Sequence, residues 1–367
     1  MSTLSLVARL GALCLGLVIG LPILTISAVS ADDPMAYDCA SQSAIPQPEC
    51  AALVALYNAN PGASFNANWL QTGSSPCDWT GITCAGGSVT EIQLTGIGLT
   101  NIPASINALT QLTRLGLDQN QLSGAPTQIG ALSALQFLDL SNNQMVSVPV
   151  SLGNLTNLNQ LWLNNNQLAS VPAGISNLVS LTVLSLHQNQ LTAVPNVQAL
   201  VRLTTFSLND NQVAVAPIGI GSLLSLTQLP LSRNLLVTVP AEIGNLTGLT
   251  SLSLNENRLI AVTGAISGLA QLSILDLSNN QLLTVSSSIG ALSNLTELYV
   301  GANPITGPLP SALLALNLIE TFWFQDTGLC VPNTPAYTGW LAGITTVNGT
   351  NATCLAPRAF LPIALNP

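Results

Sequence analysis

The sequence predicts an α/β repeat solenoid, with a parallel β-sheet on the concave side and short helical or 3-10 turns on the convex side. Three observations predict it. An asparagine returns every 22 or 23 residues, at Asn120, Asn143, Asn166, Asn189, Asn211, Asn234, Asn257, Asn280 and Asn303, inside the frame L-x-x-L-x-L-x-x-N-x-L. Within each copy the core L-x-L alternates, as in Leu161-Trp162-Leu163 or Leu184-Ser185-Leu186, which is the period of a strand with one buried face. After each strand comes a second apolar set, such as Val171-Pro172 followed by Ile175 and Leu178, whose spacing of three suits a short 3-10 turn entered through a proline of fixed φ.

The frame starts at Val89, Leu112, Leu135, Leu158, Leu181, Leu203, Leu226, Leu249, Leu272 and Leu295, with a degenerate last copy from Ile319. The step is 23 residues, except for 22 between the fifth and sixth copies and 24 into the last. The repeated asparagine has a structural job. Its amide both donates and accepts, so at the turn leaving the strand it can satisfy backbone groups of its own turn and of the neighbouring one. The frame decays at both ends, where Ile97 and Thr327 replace the asparagine. Terminal repeats have one face without a neighbour and need covers. The expected organisation is a leader at 1–31, an N-terminal cap at 32–88, repeats over 89–329, a C-terminal cap at 330–354 and a tail at 355–367.

At the N-terminus, Arg9 precedes an uncharged apolar stretch from Leu10 to Val29, and Val29-Ser30-Ala31 stands before Asp32. This pattern fits a signal peptide cleaved after Ala31. The rival is an uncleaved membrane anchor, since the stretch approaches the roughly 20 residues that span a bilayer; Pro22 and the cleavage-like site favour the leader. No second apolar stretch of spanning length follows, so no stable membrane insertion is expected once the leader is removed. Loss of the leader removes Cys14 and leaves six cysteines, an even number that in an exported chain reads as disulfides. Four lie before the repeats and two after, so Cys39 is expected with Cys50, Cys77 with Cys84, and Cys330 with Cys354. No metal site or cofactor is expected, because the one histidine, His187, lies far along the array from both cysteine clusters.

Charged residues make up 6% of the chain, all six basic residues are arginine, and the formal net charge is -9. A nucleic-acid partner is excluded on that balance.

Ten consecutive copies in phase make residues 89–329 resemble an extracellular leucine-rich repeat array. The stretch Glu49-Cys50-Ala51-Ala52-Leu53-Val54-Ala55-Leu56-Tyr57-Asn58, then Asn68-Trp69-Leu70, then Cys77-Asp78-Trp79-Thr80-Gly81-Ile82-Thr83-Cys84 is similar to the N-terminal cap of plant-type receptor and secreted bacterial members of that family. The resemblance implies a right-handed horseshoe, a cap of helix and strand stapled by paired cysteines, and core roles for Trp69 and Trp79. It also implies recognition, adhesion or inhibitor roles, including the polygalacturonase-inhibitor type. Most copies lack the plant signature Gly-x-Ile-Pro after the asparagine; only Ile305-Thr306-Gly307-Pro308-Leu309-Pro310 comes close.

Variable positions of the strand frame point onto the concave face. The central column runs Gln93, Gly116, Asp139, Trp162, Ser185, Ser207, Pro230, Ser253, Asp276, Tyr299 and Trp323. Exposed aromatics on a rigid sheet are common anchors. The favoured ligand patch is therefore Trp162 with Phe137, flanked by Asp139, Gln160 and Asn164, with Ser185 and His187 on the next strand. Tyr299 with Trp323 is the second candidate, with packing against the cap as its rival reading. Asp210, Arg233 and Glu256 occupy equivalent positions on successive strands and read as a solvated charge ladder. A Ser185, His187 and Asp210 triad is conceivable, but no sharp nucleophile turn or oxyanion element accompanies it. Sequons stand at Asn154, Asn245, Asn294, Asn348 and Asn351, the first three also arising from the repeat consensus.

The sequence thus leads to a secreted, non-catalytic binding protein presenting its concave face to a protein or polysaccharide ligand. Its rivals are a structural or adhesive surface protein and a receptor-like ectodomain held by an uncleaved anchor. Oligomeric state and ligand identity are not encoded in these patterns.

Overall fold

Each L-x-L step forms a three-residue strand, as at Phe137–Asp139, Gln160–Trp162 and Val183–Ser185. Alternation sends Leu138, Leu161 and Leu184 fully inward. A computed structural model describes residues 37–350 and 352–354. The expected leader, the tail from 355 and the sequon at Asn351 lie outside the described residues. Thirteen strands form one sheet in sequence order. All neighbours are parallel except the first pair, Ile82–Ala85 against Ser88–Gln93, which is antiparallel. The parallel register repeats the frame, setting Gly116 opposite Asp139, Asp139 opposite Trp162, and Trp162 opposite Ser185.

The asparagine links each repeat to the one before it. Asn189 donates through Nδ2 to Leu163 O (2.9 Å) in the preceding copy and to Leu186 O (3.1 Å) in its own turn, while its Oδ1 accepts from Leu168 N (3.0 Å). The same bonds recur at Asn143, Asn166, Asn211, Asn234, Asn257, Asn280 and Asn303. All of these side chains are 9% exposed or less. The turn that swings the amide inward needs a left-handed residue just before it, from Gln119 (φ 58°) through Asn142, Asn165 and Asn279 to Asp326 (φ 56°). Asn and Asp tolerate that conformation better than other non-glycine residues.

The convex turns form as the apolar spacing predicts. In five of them, at Ala104–Ala108, Thr127–Ala131, Val150–Asn154, Ala173–Asn177 and Ala241–Asn245, a proline with φ between -66° and -71° precedes a 3-10 helix. The fifth copy departs from this pattern. It is one residue short, and the segment from Pro195 to Ala199 forms no helix. Its neighbour closes in instead: Gly219 sits at φ 82°, and a Cβ there would lie 2.6 Å from the Gln198 backbone nitrogen, so only glycine fits.

Both ends are covered. The helix Gln47–Asn58 buries Cys50, Leu53 and Leu56 against the first repeat. Disulfides join Cys39–Cys50, Cys77–Cys84 and Cys330–Cys354, the expected pairs. Trp69 and Trp79 are buried with ring centroids 4.9 Å apart, as core residues of the cap. Two cap residues take over the role of the missing asparagine. Buried Asn60 donates to Leu56 O and Asn101 O and accepts from Thr100 N and Asn101 N, tying the helix end to the first turn. Buried Glu49 accepts the backbone N–H of Val89, the first residue of the frame, at 2.7 Å. At the far end the Thr327 hydroxyl donates to Phe324 O and accepts from Leu329 N. The sheet then continues one strand beyond the repeats: Thr346–Asn348 pairs with Thr321–Trp323. A helix at Pro335–Ala342 packs beneath, with Tyr337 and Trp340 donating to Leu309 O and Leu316 O. Among the described residues no helix is long and apolar enough to cross a membrane.

Replacing Asn189 with leucine leaves Leu168 N–H buried without a partner, at about 1–3 kcal/mol, and removes one of the two amides that donate to Leu163 O, the other being that of Asn166. Denaturant unfolding of Asn189→Leu is expected to show a loss of about 1–3 kcal/mol. An unchanged midpoint would remove the asparagine from its linking role.

Candidate functional site

The central strands carry the groups expected to meet a ligand, and the structure places them unequally. Trp162 is partly exposed, with its indole N–H pointing back toward Gln160 Oε1 at 3.4 Å. Asp139 stands opposite it on the preceding strand. One carboxylate oxygen of Asp139 accepts from Ser141 N (2.9 Å); burial raises its pKa above the usual carboxylate value, against the lowering effect of the Ser141 hydrogen bonds. Asn164 is 7% exposed and its Oδ1 has no hydrogen-bond partner among the described residues. An unpaired buried acceptor is uncommon in folded proteins.

Two residues depart from their expected places. Phe137 is not an open anchor, because the Arg114 guanidinium lies over its ring at 3.5 Å from the centroid. Arg114 and Phe137 pair directly across adjacent strands, so the frame itself places a cation beside the ring. Ser185 is not on the surface: it is 1% exposed, a short side chain beside Trp162 whose hydroxyl shares a 3.0 Å hydrogen bond with His187 Nδ1. Gln160, Trp162, Asp139 and His187 stay partly exposed.

The third member of the conceivable triad is committed elsewhere. Asp210 accepts from Arg233 at 3.3 Å and from Asn209 Nδ2 at 2.6 Å, and Arg233 also reaches Glu256 at 3.0 Å. This is the solvated ladder read from the sequence, and pairs so exposed are worth little. With Ser185 buried and Asp210 held by Arg233, the three side chains do not assemble into nucleophile, base and orienting acid.

Toward the C-terminal end, Tyr299 and Trp323 sit side by side with ring centroids 5.9 Å apart at 54°. The Tyr299 hydroxyl donates to Glu297 Oε2 at 2.7 Å, and that bond, with burial and the charges of Glu297 and Asp276, pushes its pKa up to about 12. Trp323 is 44% exposed, so it is not consumed by packing on the cap. Among the described residues no group of histidine, cysteine and carboxylate side chains converges as a metal site would require.

Burial holds the His187 imidazole below its ordinary value, opposed by attraction from Asp210. The folded state therefore resists protonation more than the unfolded chain does. The stability contribution is present above about pH 6.5 and lost as pH falls below it. An NMR titration is expected to give a midpoint below that of free histidine, and His187→Gln should flatten the acid side of the stability profile. A midpoint at or above 6.5 would contradict the burial argument.

Comparison with known proteins agrees with this architecture. Family models match as a leucine-rich repeat region over residues 99–209, a leucine rich repeat over 249–305 and a leucine rich repeat N-terminal domain over 46–85. Among curated relatives, a probable inactive receptor kinase of Arabidopsis thaliana is 43% identical over 74 residues, 20% of this chain and 11% of that protein. The Arabidopsis serine/threonine-protein kinase BRI1-like 2 is 49% identical over 51 residues, 14% of this chain and 4% of that protein. The chain thus spans only a small part of these relatives. Of solved structures, a Leptospira interrogans leucine-rich repeat protein superposes with a TM-score of 0.62 at 27% identity, covering 72% of this chain and 74% of the other. The plant peptide hormone receptor RGFR1 in complex with RGF2 gives 0.58 at 31% identity, covering 72% and 44%. The phased repeats, the linked asparagine turns and these matches together make the chain a leucine-rich repeat protein with an N-terminal cap of the family's own type.

Proposed function

We propose that this protein is an exported, non-catalytic recognition module whose concave sheet binds a protein or peptide ligand at the patch around Trp162. The observation that carries this reading is the partly exposed Trp162 indole on the concave sheet, set opposite the half-buried Asp139 carboxyl group on the preceding strand. An aromatic anchor on a rigid sheet beside polar groups gains buried area and hydrogen bonds when a partner displaces surface water. Similarity to a plant peptide hormone receptor, solved in complex with RGF2, supports a peptide over a polysaccharide. Export is supported by the leader-like sequence pattern at 1–31 and by the three disulfides near the two ends of the array. The low charge of the chain, 6% of its residues, favours hydrogen bonding around an aromatic anchor over long-range steering.

The test is a binding screen of secreted peptides and proteins alongside cell-wall polysaccharides, with the wild type and Trp162→Ala compared on each hit. Truncating a central aromatic anchor is expected to weaken a peptide or protein hit by about 30-fold or more. Equal binding by the variant removes the patch, and hits confined to polysaccharides overturn the choice of ligand class.

A further inference from the structure

The concave face has a second feature near its C-terminal end. A recess of about 290 Å³ is walled by Tyr299 and Trp323, with Asp276 and Asp326 at its sides. The chain opens it at two positions. Gly301 stands where every other copy carries a polar side chain, and a Cβ there would come within 3.2 Å of the Trp323 ring and 2.9 Å of Gln325 O. Ala302 follows at φ 51°, a left-handed position that most copies fill with a longer polar side chain. The recess is therefore formed by small residues beneath large aromatic ones.

Among the described residues its charge is uncompensated. Asp276 uses Oδ1 to accept from the Ser278 amide (3.0 Å) and hydroxyl (2.6 Å), and Oδ2 has no hydrogen-bond partner among the described residues. Asp326 makes no side-chain hydrogen bond among the described residues, and Glu297 adds a third carboxylate behind Tyr299. The described arginines are Arg114, Arg202, Arg233 and Arg258, and none lines the recess. Two aromatic walls tilted at 54° suit a cation placed between them, where a sugar ring would stack on one flat platform.

We propose that this recess takes a basic side chain, an arginine guanidinium or lysine ammonium, of a protein ligand lying along the concave face. The proposal rests on the concave-face reading above and adds a second contact of defined chemistry, six strands from the Trp162 patch. The cation sits against the faces of Trp323 and Tyr299, and Asp276 and Asp326 accept its N–H groups.

The experiment uses the full chain and Nα-acetyl-arginine amide as probe, followed by the indole resonances of tryptophan. Nα-acetyl-citrulline amide serves as the neutral isostere, and cello- and galacturono-oligosaccharides as sugar controls. Saturable binding of the arginine amide is expected, with the citrulline amide at least fivefold weaker. Trp323→Ala should weaken it about fivefold or more, by analogy with cation–aromatic contacts elsewhere. Asp276→Asn with Asp326→Asn should do the same, and 0.5 M salt should reduce binding in the wild type. Trp162→Ala should leave this binding unchanged, so loss of the main ligand in that variant and loss of the cation in the Trp323 variant are separable failures. Equal binding of the two amides, indifference to both the Trp323 and the aspartate substitutions, or a sugar that binds in place of the arginine amide would overturn the proposal.

Discussion

The buried asparagine turn is the constraint on which the molecule depends. A three-residue strand cannot hold a sheet by itself, and its backbone must leave the sheet after each leucine. The amide at the exit ties that departure to the previous copy, as Asn211 does with Leu186 O and Leu191 N. Because the bond spans neighbouring copies, each repeat is positioned by the one before it. That coupling fixes the register by which side chains line up on the concave face. At the ends, where no such neighbour exists, Asn60, Glu49 and the Thr327 hydroxyl satisfy the same kind of backbone group.

Much of the architecture was legible because the frame is periodic and period reports burial. The phase placed every inward leucine, and the cysteine positions gave the three pairs. Other features depend on contacts that no period encodes. Glu49 and Asn60 lie in a cap whose meeting with Val89 and Asn101 joins residues about 40 apart in sequence. The strand Thr346–Asn348 follows the last recognisable copy and carries no leucine frame, so only its pairing with Thr321–Trp323 reveals it. The missing convex helix at Pro195–Ala199 was hinted at by the 22-residue step, which removes one residue from the outer turn.

The candidate site was legible in outline and altered in detail. The column of outward positions is correct as a list of neighbours, but size and charge decide which members face solvent. Ser185 disappears beneath larger side chains, and Arg114 caps Phe137 from the adjacent strand. The second of these was available from the frame, since Arg114 and Phe137 share one column. The C-terminal recess was visible as an aromatic pair. Its acidic sides and glycine floor became meaningful once Asp276, Gly301 and Asp326 were seen around one space. The concave face therefore divides into a desolvated polar patch in the centre and an acidic aromatic recess toward one end, both mounted on a sheet whose geometry the asparagines set.

Native-state hydrogen exchange tests that setting most directly. The amides that donate to Oδ1 of the repeated asparagines include those of Leu99, Leu122, Met145, Leu168, Leu191, Val213, Leu236, Leu259 and Leu282. If the asparagine turns couple the repeats, these amides exchange only through cooperative opening, and far more slowly than those of Val146 and Ile260, whose bonds to the preceding copy are 3.4 Å long. Exchange of the two sets at the same rate would contradict the account, because the asparagine bonds would then be a consequence of stacking and not its cause.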